Sequence, residues 1–187
     1  MSPTDHLQPP GSSSGQPSLE ELFSNVEEIL PGLLRVLRGE YESAMDPGLI
    51  QTVLIQTLHE ESVDASLKLA ILKAFVESPL RIPEGQGADL ASLLDDENPS
   101  IRCGIYRLIR DGKITIEPME LIAHVKGEIA ALARCYGIEA LAARSGREAI
   151  LLLQGWQRDV GVSSGPNEDP DVQAIRAALG SALSALS

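Results

Sequence analysis

The chain has 187 residues, enough for one domain with a tail to spare. It is 43% hydrophobic but only 3% aromatic, with Leu, Ala and Ile plentiful, which leans towards helix and away from wholesale disorder. Fifteen basic against 27 acidic residues give a formal net charge of −12, a field that repels nucleic acid and suits protein partners, basic ones among them.

Residues 1–17 are Pro, Ser and Gly with almost nothing to bury and read as a disordered leader. A single helical domain is expected over 18–187. It opens on a capping box, Ser18 with Glu21, followed by the stripe Leu19, Leu22, Phe23, Val26, Ile29 and Leu30. Pro31 is expected to break or restart that helix. Asp46-Pro47 marks the next start, with Leu49, Ile50, Val53, Leu54, Thr57 and Leu58 at helical period. Ser66–Ser78 is a further helix, followed by a breaker-rich loop, the short helix ADLASLL and the helix Ser100–Gly112. A long helix is expected over Glu117–Tyr136, then helices over Ile138–Arg144 and Glu148–Val160, and a last one from Pro170 to about Leu186. No segment shows a convincing period-2 alternation; KITIEP could pass for a strand, but a single strand has nothing to pair with, so none is expected.

An internal repeat organises the centre. Ser66–Ser78 matches Ser100–Gly112 at an offset of 34 residues, pairing Leu67 with Ile101, Lys68 with Arg102, Ala70 with Gly104, Ile71 with Ile105, Lys73 with Arg107 and Phe75 with Ile109. A weaker copy sets Asp169-Pro170-Asp171-Val172 against Asn98-Pro99-Ser100-Ile101. Leu93-Leu94-Asp95-Asp96-Glu97-Asn98-Pro99-Ser100-Ile101-Arg102 resembles the turn and second-helix start of a HEAT repeat, over about residues 49–112 and in part over 166–187. Gly104 and Ile105 depart from the small positions of that pattern, and 117–160 carries no signature of it. The resemblance implies an all-α fold, a short HEAT-like α-solenoid or irregular superhelical bundle of antiparallel helix pairs. It also implies a polar ladder joining Asp96 to Arg102.

In the second copy, Ile101, Ile105, Leu108 and Ile109 form the core stripe, while Cys103, Tyr106, Arg107 and Arg110 face elsewhere. The 66–76 helix is apolar nearly all round, broken only by Lys68 and Lys73. Such a helix either lies centrally in the core or keeps one face for a partner. In the second case Leu69, Leu72, Val76, Tyr106 and Arg110 would share one inner groove. Trp156, the only tryptophan, is a further candidate for partner binding, because Trp and Arg are enriched at interface hot spots.

Chemistry-bearing patterns are sparse. Glu120 and His124 share a helical face but lack companion ligands. Cys103 and Cys135 have neither CxxC spacing nor a histidine base and read as buried structural thiols. Gly85–Gly87 lacks the Lys-Ser/Thr and the strand of a phosphate loop. No catalytic, metal or cofactor residue is expected, and no apolar run is long enough to suggest a membrane span; the expected setting is cytoplasmic.

The expected function is that of a non-catalytic protein-binding adaptor or regulator. One alternative is an acidic inhibitor or immunity-type protein for a basic partner. Another is an accessory role in bilin chromophore attachment, since these repeats resemble those of phycobilin lyases. A HEAT-like DNA glycosylase would want a basic, aromatic-lined groove, which the charge of −12 opposes.

Overall fold

Three helices begin with the same device. Asp46, Asn98 and Asp169 each accept a hydrogen bond from the backbone N–H two residues on, at 3.1, 2.9 and 2.9 Å, and each is followed by a proline at the first helical position. The side chain satisfies an orphan N–H and the ring loses no bond there, so each cap is worth about 1 kcal/mol. Asp64 caps without a proline, accepting from the Ser66 N–H.

The computed structural model describes residues 26–40, 46–144, 146–162 and 169–186, and these are helical with no strand among them. The helices are α1 (Val26–Leu37), α2 (Pro47–His59), α3 (Ala65–Glu77), α4 (Glu84–Ala91), α5 (Pro99–Arg110), α6 (Pro118–Gly127), α7 (Ala131–Arg144), α8 (Arg147–Val162) and α9 (Pro170–Ala185); a 3-10 turn, Ser92–Asp95, precedes α5. The leader and the capping box at Ser18 lie outside the described residues. No described helix is long and apolar enough to cross a membrane.

Alternate helices pack side by side: α3 lies against α5, α5 against α7 and α7 against α9, the last two being the most extensive contacts. The intervening helices α6 and α8 pack on this row, while α1 and α2 cover its start. The repeat-related pairs Ile71 with Ile105 and Phe75 with Ile109 are buried in both copies. Two glycines set the close approaches. A Cβ at Gly104 would lie 2.9 Å from Leu72 Cδ1 and 3.2 Å from Leu72 Cβ, so only glycine lets α5 settle on α3 as it does. At Gly137 a Cβ would lie 2.7 Å from Val125 Cγ2 and 3.3 Å from Tyr106 Cε1, where α5, α6 and α7 meet.

Several expectations need correcting. Helix α1 runs through Pro31, which is exposed and breaks nothing. The expected helix over Glu117–Tyr136 is two helices, α6 and α7, separated at Glu128–Ala130, and α7 continues through Gly137 to Arg144. Glu128 sits at the break with extended backbone, and its carboxylate accepts from the Ala130 N–H at 2.9 Å while holding Arg102. Residues 113–117, by contrast, form a loop with Ile114 buried, as the lack of any strand to pair with led one to expect. Tyr106, assigned away from the core stripe, is buried beside Cys103, whose burial the thiol reading expected, because α5 is covered by α3 on one side and by α7 on another.

Candidate functional site

The repeat places one helical stripe from each of three successive row helices on a common cleft. From α3 come Leu69, Leu72, Lys73 and Val76, and from α5 Ser100, Cys103, Gly104 and Arg107, both at spacings of three, four and seven. Helix α7 adds Leu132 and Tyr136. The cleft encloses about 240 Å³. Its floor is apolar, its lip carries Lys73 and Arg107, and Leu132 stands 64% exposed beside it.

Of the residues expected along an inner groove, Leu69, Leu72 and Val76 are brought together here. Leu72 is only 1% exposed, a floor residue that also belongs to the core. Tyr106 and Arg110 are not in this cleft. Arg110 pairs with Glu139 and with Asp111, both at 2.8 Å. Trp156 is half-buried on α8, its ring under the Arg134 guanidinium at 5.3 Å, remote in sequence from every lining residue. Lys73, Arg107, Leu132 and Tyr136 were not foreseen. The echo itself held a signal for two of them, since Lys73 and Arg107 are equivalent positions in it.

Tyr106 instead lines a second, wider cleft on a different face of α5, together with Asp95, Asp96, Glu97, Arg102, His124, Glu128 and the 95% exposed Ile129. Here the expected ladder between Asp96 and Arg102 is corrected. Arg102 donates to the backbone carbonyls of Asp96 and Glu97 at 2.7 and 3.1 Å, while the Asp96 carboxylate accepts from the Asn98 N–H at 2.8 Å. The carboxylate partner of Arg102 is Glu128, through two contacts of 2.7 Å. Burial pushes the Glu128 carboxyl up, but the Arg102 hydrogen bonds and charge and the Ala130 and Ile129 N–H groups outweigh it, leaving it below the ordinary 4.5. The Tyr106 phenol is held well above its ordinary value, first by burial and then by the Glu128 charge.

The remaining polar candidates are scattered. His124 faces Asp95 at 3.7 Å, Glu120 is exposed, and no group of three or more His, Cys, Asp or Glu among the described residues is placed to hold a metal ion. Burial pushes the Cys103 and Cys135 thiols up, so at neutral pH both are held as thiols. Compared with family models, with curated proteins and with solved structures, the chain finds no match in any of the three.

Proposed function

We propose that this protein is a non-catalytic adaptor or regulator that binds another protein through a HEAT-like helical-repeat surface. The observation that carries the reading is the cleft on α3, α5 and α7. Three helices of one row present apolar side chains at helical spacing, and the lip adds an apolar side chain, Leu132, that the fold leaves in water. Single exposed apolar side chains are ordinary, and Leu132 supports the reading because it adjoins an apolar groove between helices, the setting in which a partner helix finds its anchors. The side-by-side packing of alternate helices and the burial of repeat-equivalent residues support the repeat part of the reading.

Affinity purification compares the wild-type protein with Leu132→Glu and with Leu151→Glu, both at side chains more than half exposed and therefore tolerant of charge. The reading expects one co-purifying protein that Leu132→Glu loses and Leu151→Glu keeps. A captured protein indifferent to Leu132→Glu would remove the cleft from the account.

The acidic second cleft supports another reading, an inhibitor that covers a basic surface. Asp95 is 83% exposed there and Ile129 stands beside it as an apolar contact. Steep loss of partner binding with added salt, abolished by Asp95→Asn with Glu97→Gln, would favour that alternative over the cleft on α3.

A further inference from the structure

The cleft on α3, α5 and α7 differs in charge from the chain that surrounds it. Its lining includes Lys73 and Arg107 and no carboxylate, in a protein with 27 acidic residues. Three arginines elsewhere are neutralised within the fold: Arg38 lies 3.1 Å from Glu77, Arg102 2.7 Å from Glu128 and Arg110 2.8 Å from Glu139. The Arg107 guanidinium has no ion pair among the described residues. Lys73 has one loose contact, 3.8 Å from Glu77, whose carboxylate lies closer to Arg38. The two cations therefore keep their charge available at the lip of an apolar floor.

Their placement is regular. Lys73 stands four residues past Leu69, and Arg107 four past Cys103, so the repeat sets one positive charge on each of two neighbouring helices, both lining the same cleft. The described residues offer no strand to which an extended peptide could add, and a furrow between packed helices accepts the ridge of another helix. Resting on the protein-binding reading above, we propose that the occupant is an acidic amphipathic helix of a partner protein. Its apolar side chains at i, i+3 or i+4, and i+7 lie on Leu69, Leu72, Val76 and Leu132, and its Asp or Glu side chains flank them to meet Lys73 and Arg107. In a chain whose overall field repels acidic partners, these two cations supply the local attraction and fix the register of the helix.

The test is selection of random displayed peptides of about 16 residues, some four helical turns, against the full chain. The proposal expects enriched peptides that carry net negative charge and leucine-like residues at spacings of three, four and seven. In fluorescence anisotropy, Lys73→Glu with Arg107→Glu weakens such a peptide at least about tenfold while circular dichroism stays unchanged. The same peptide with its acidic residues changed to lysine binds this double variant better than it binds the wild type. Enriched peptides that are basic, yet lost on Leu132→Glu, overturn the acidic occupant and leave the protein-binding cleft standing. Acidic peptides indifferent to the charge reversal also overturn it. Failure to enrich any peptide sensitive to Leu132→Glu overturns both readings.

Discussion

Arg102 and Glu128 face each other as a two-pronged pair, both contacts 2.7 Å, across α5 and the turn between α6 and α7. Only 2% of the Glu128 side chain and 13% of that of Arg102 reach solvent. The two Nη1 N–H groups are taken up by the Asp96 and Glu97 carbonyls, so four of the five guanidinium N–H groups have partners in this buried network. Removing one partner strands the other charge, and Glu128→Gln should cost about 3 kcal/mol of stability. Because the folded carboxyl titrates below its ordinary 4.5, its contribution is fully present above the unfolded value and is lost as pH falls through the folded one. Urea midpoints should therefore differ by a constant amount between wild type and Glu128→Gln above about pH 5, and converge in more acid solution.

Gly104 and Gly155 predict opposite signs for one substitution. Both are helical, and alanine is intrinsically better in a helix by about 1 kcal/mol. At Gly155 an added methyl meets open space, so Gly155→Ala should raise stability by up to that amount. At Gly104 it would press on Leu72 Cδ1 and Cβ, and overpacking of about 1–3 kcal/mol reverses the gain. Thermal melts of the two variants against wild type read the contrast directly.

Leu72 and Tyr106 are each 1% exposed, and their variants should report on the fold before they report on binding. Leu72→Glu places a charge in the packed space between α3 and α5 and should leave little folded protein by circular dichroism. Tyr106→Ala should cost about 3–5 kcal/mol. Tyr106→Phe, by contrast, should change stability by less than about 1 kcal/mol, because the phenol makes no hydrogen bond among the described residues. A large loss in Tyr106→Phe would show that the hydroxyl has a partner in solution.

Local chemistry made much of the fold legible. Asp46-Pro47, Asn98-Pro99 and Asp169-Pro170 announced three helix starts because a cap and a proline act over a few residues. The 34-residue echo located α3 and α5 and the residues that both bury. Relations between distant residues were not legible. Arg102 is 26 positions from Glu128, and nothing in either segment names the other, so the nearer Asp96 took its place. The stop between α6 and α7 carries no proline, and it falls at Glu128, the same residue that pairs with Arg102. The burial of Tyr106 was hidden for the same reason, since only the row packing of α3, α5 and α7 shows that α5 is covered on more than one face. For the cleft, hydrophobicity pointed to Leu69, Leu72 and Val76 but not to Leu132, whose exposure follows from where α7 begins.

The central claim is that a partner protein docks on the α3, α5 and α7 cleft. It is tested most directly by placing a photo-crosslinking amino acid at Leu132 and, in a separate variant, at Leu151 on α8. The account predicts a crosslinked product with one protein partner from position 132 and none from position 151. Crosslinking to that partner from position 151 alone, or equally from both, would contradict it.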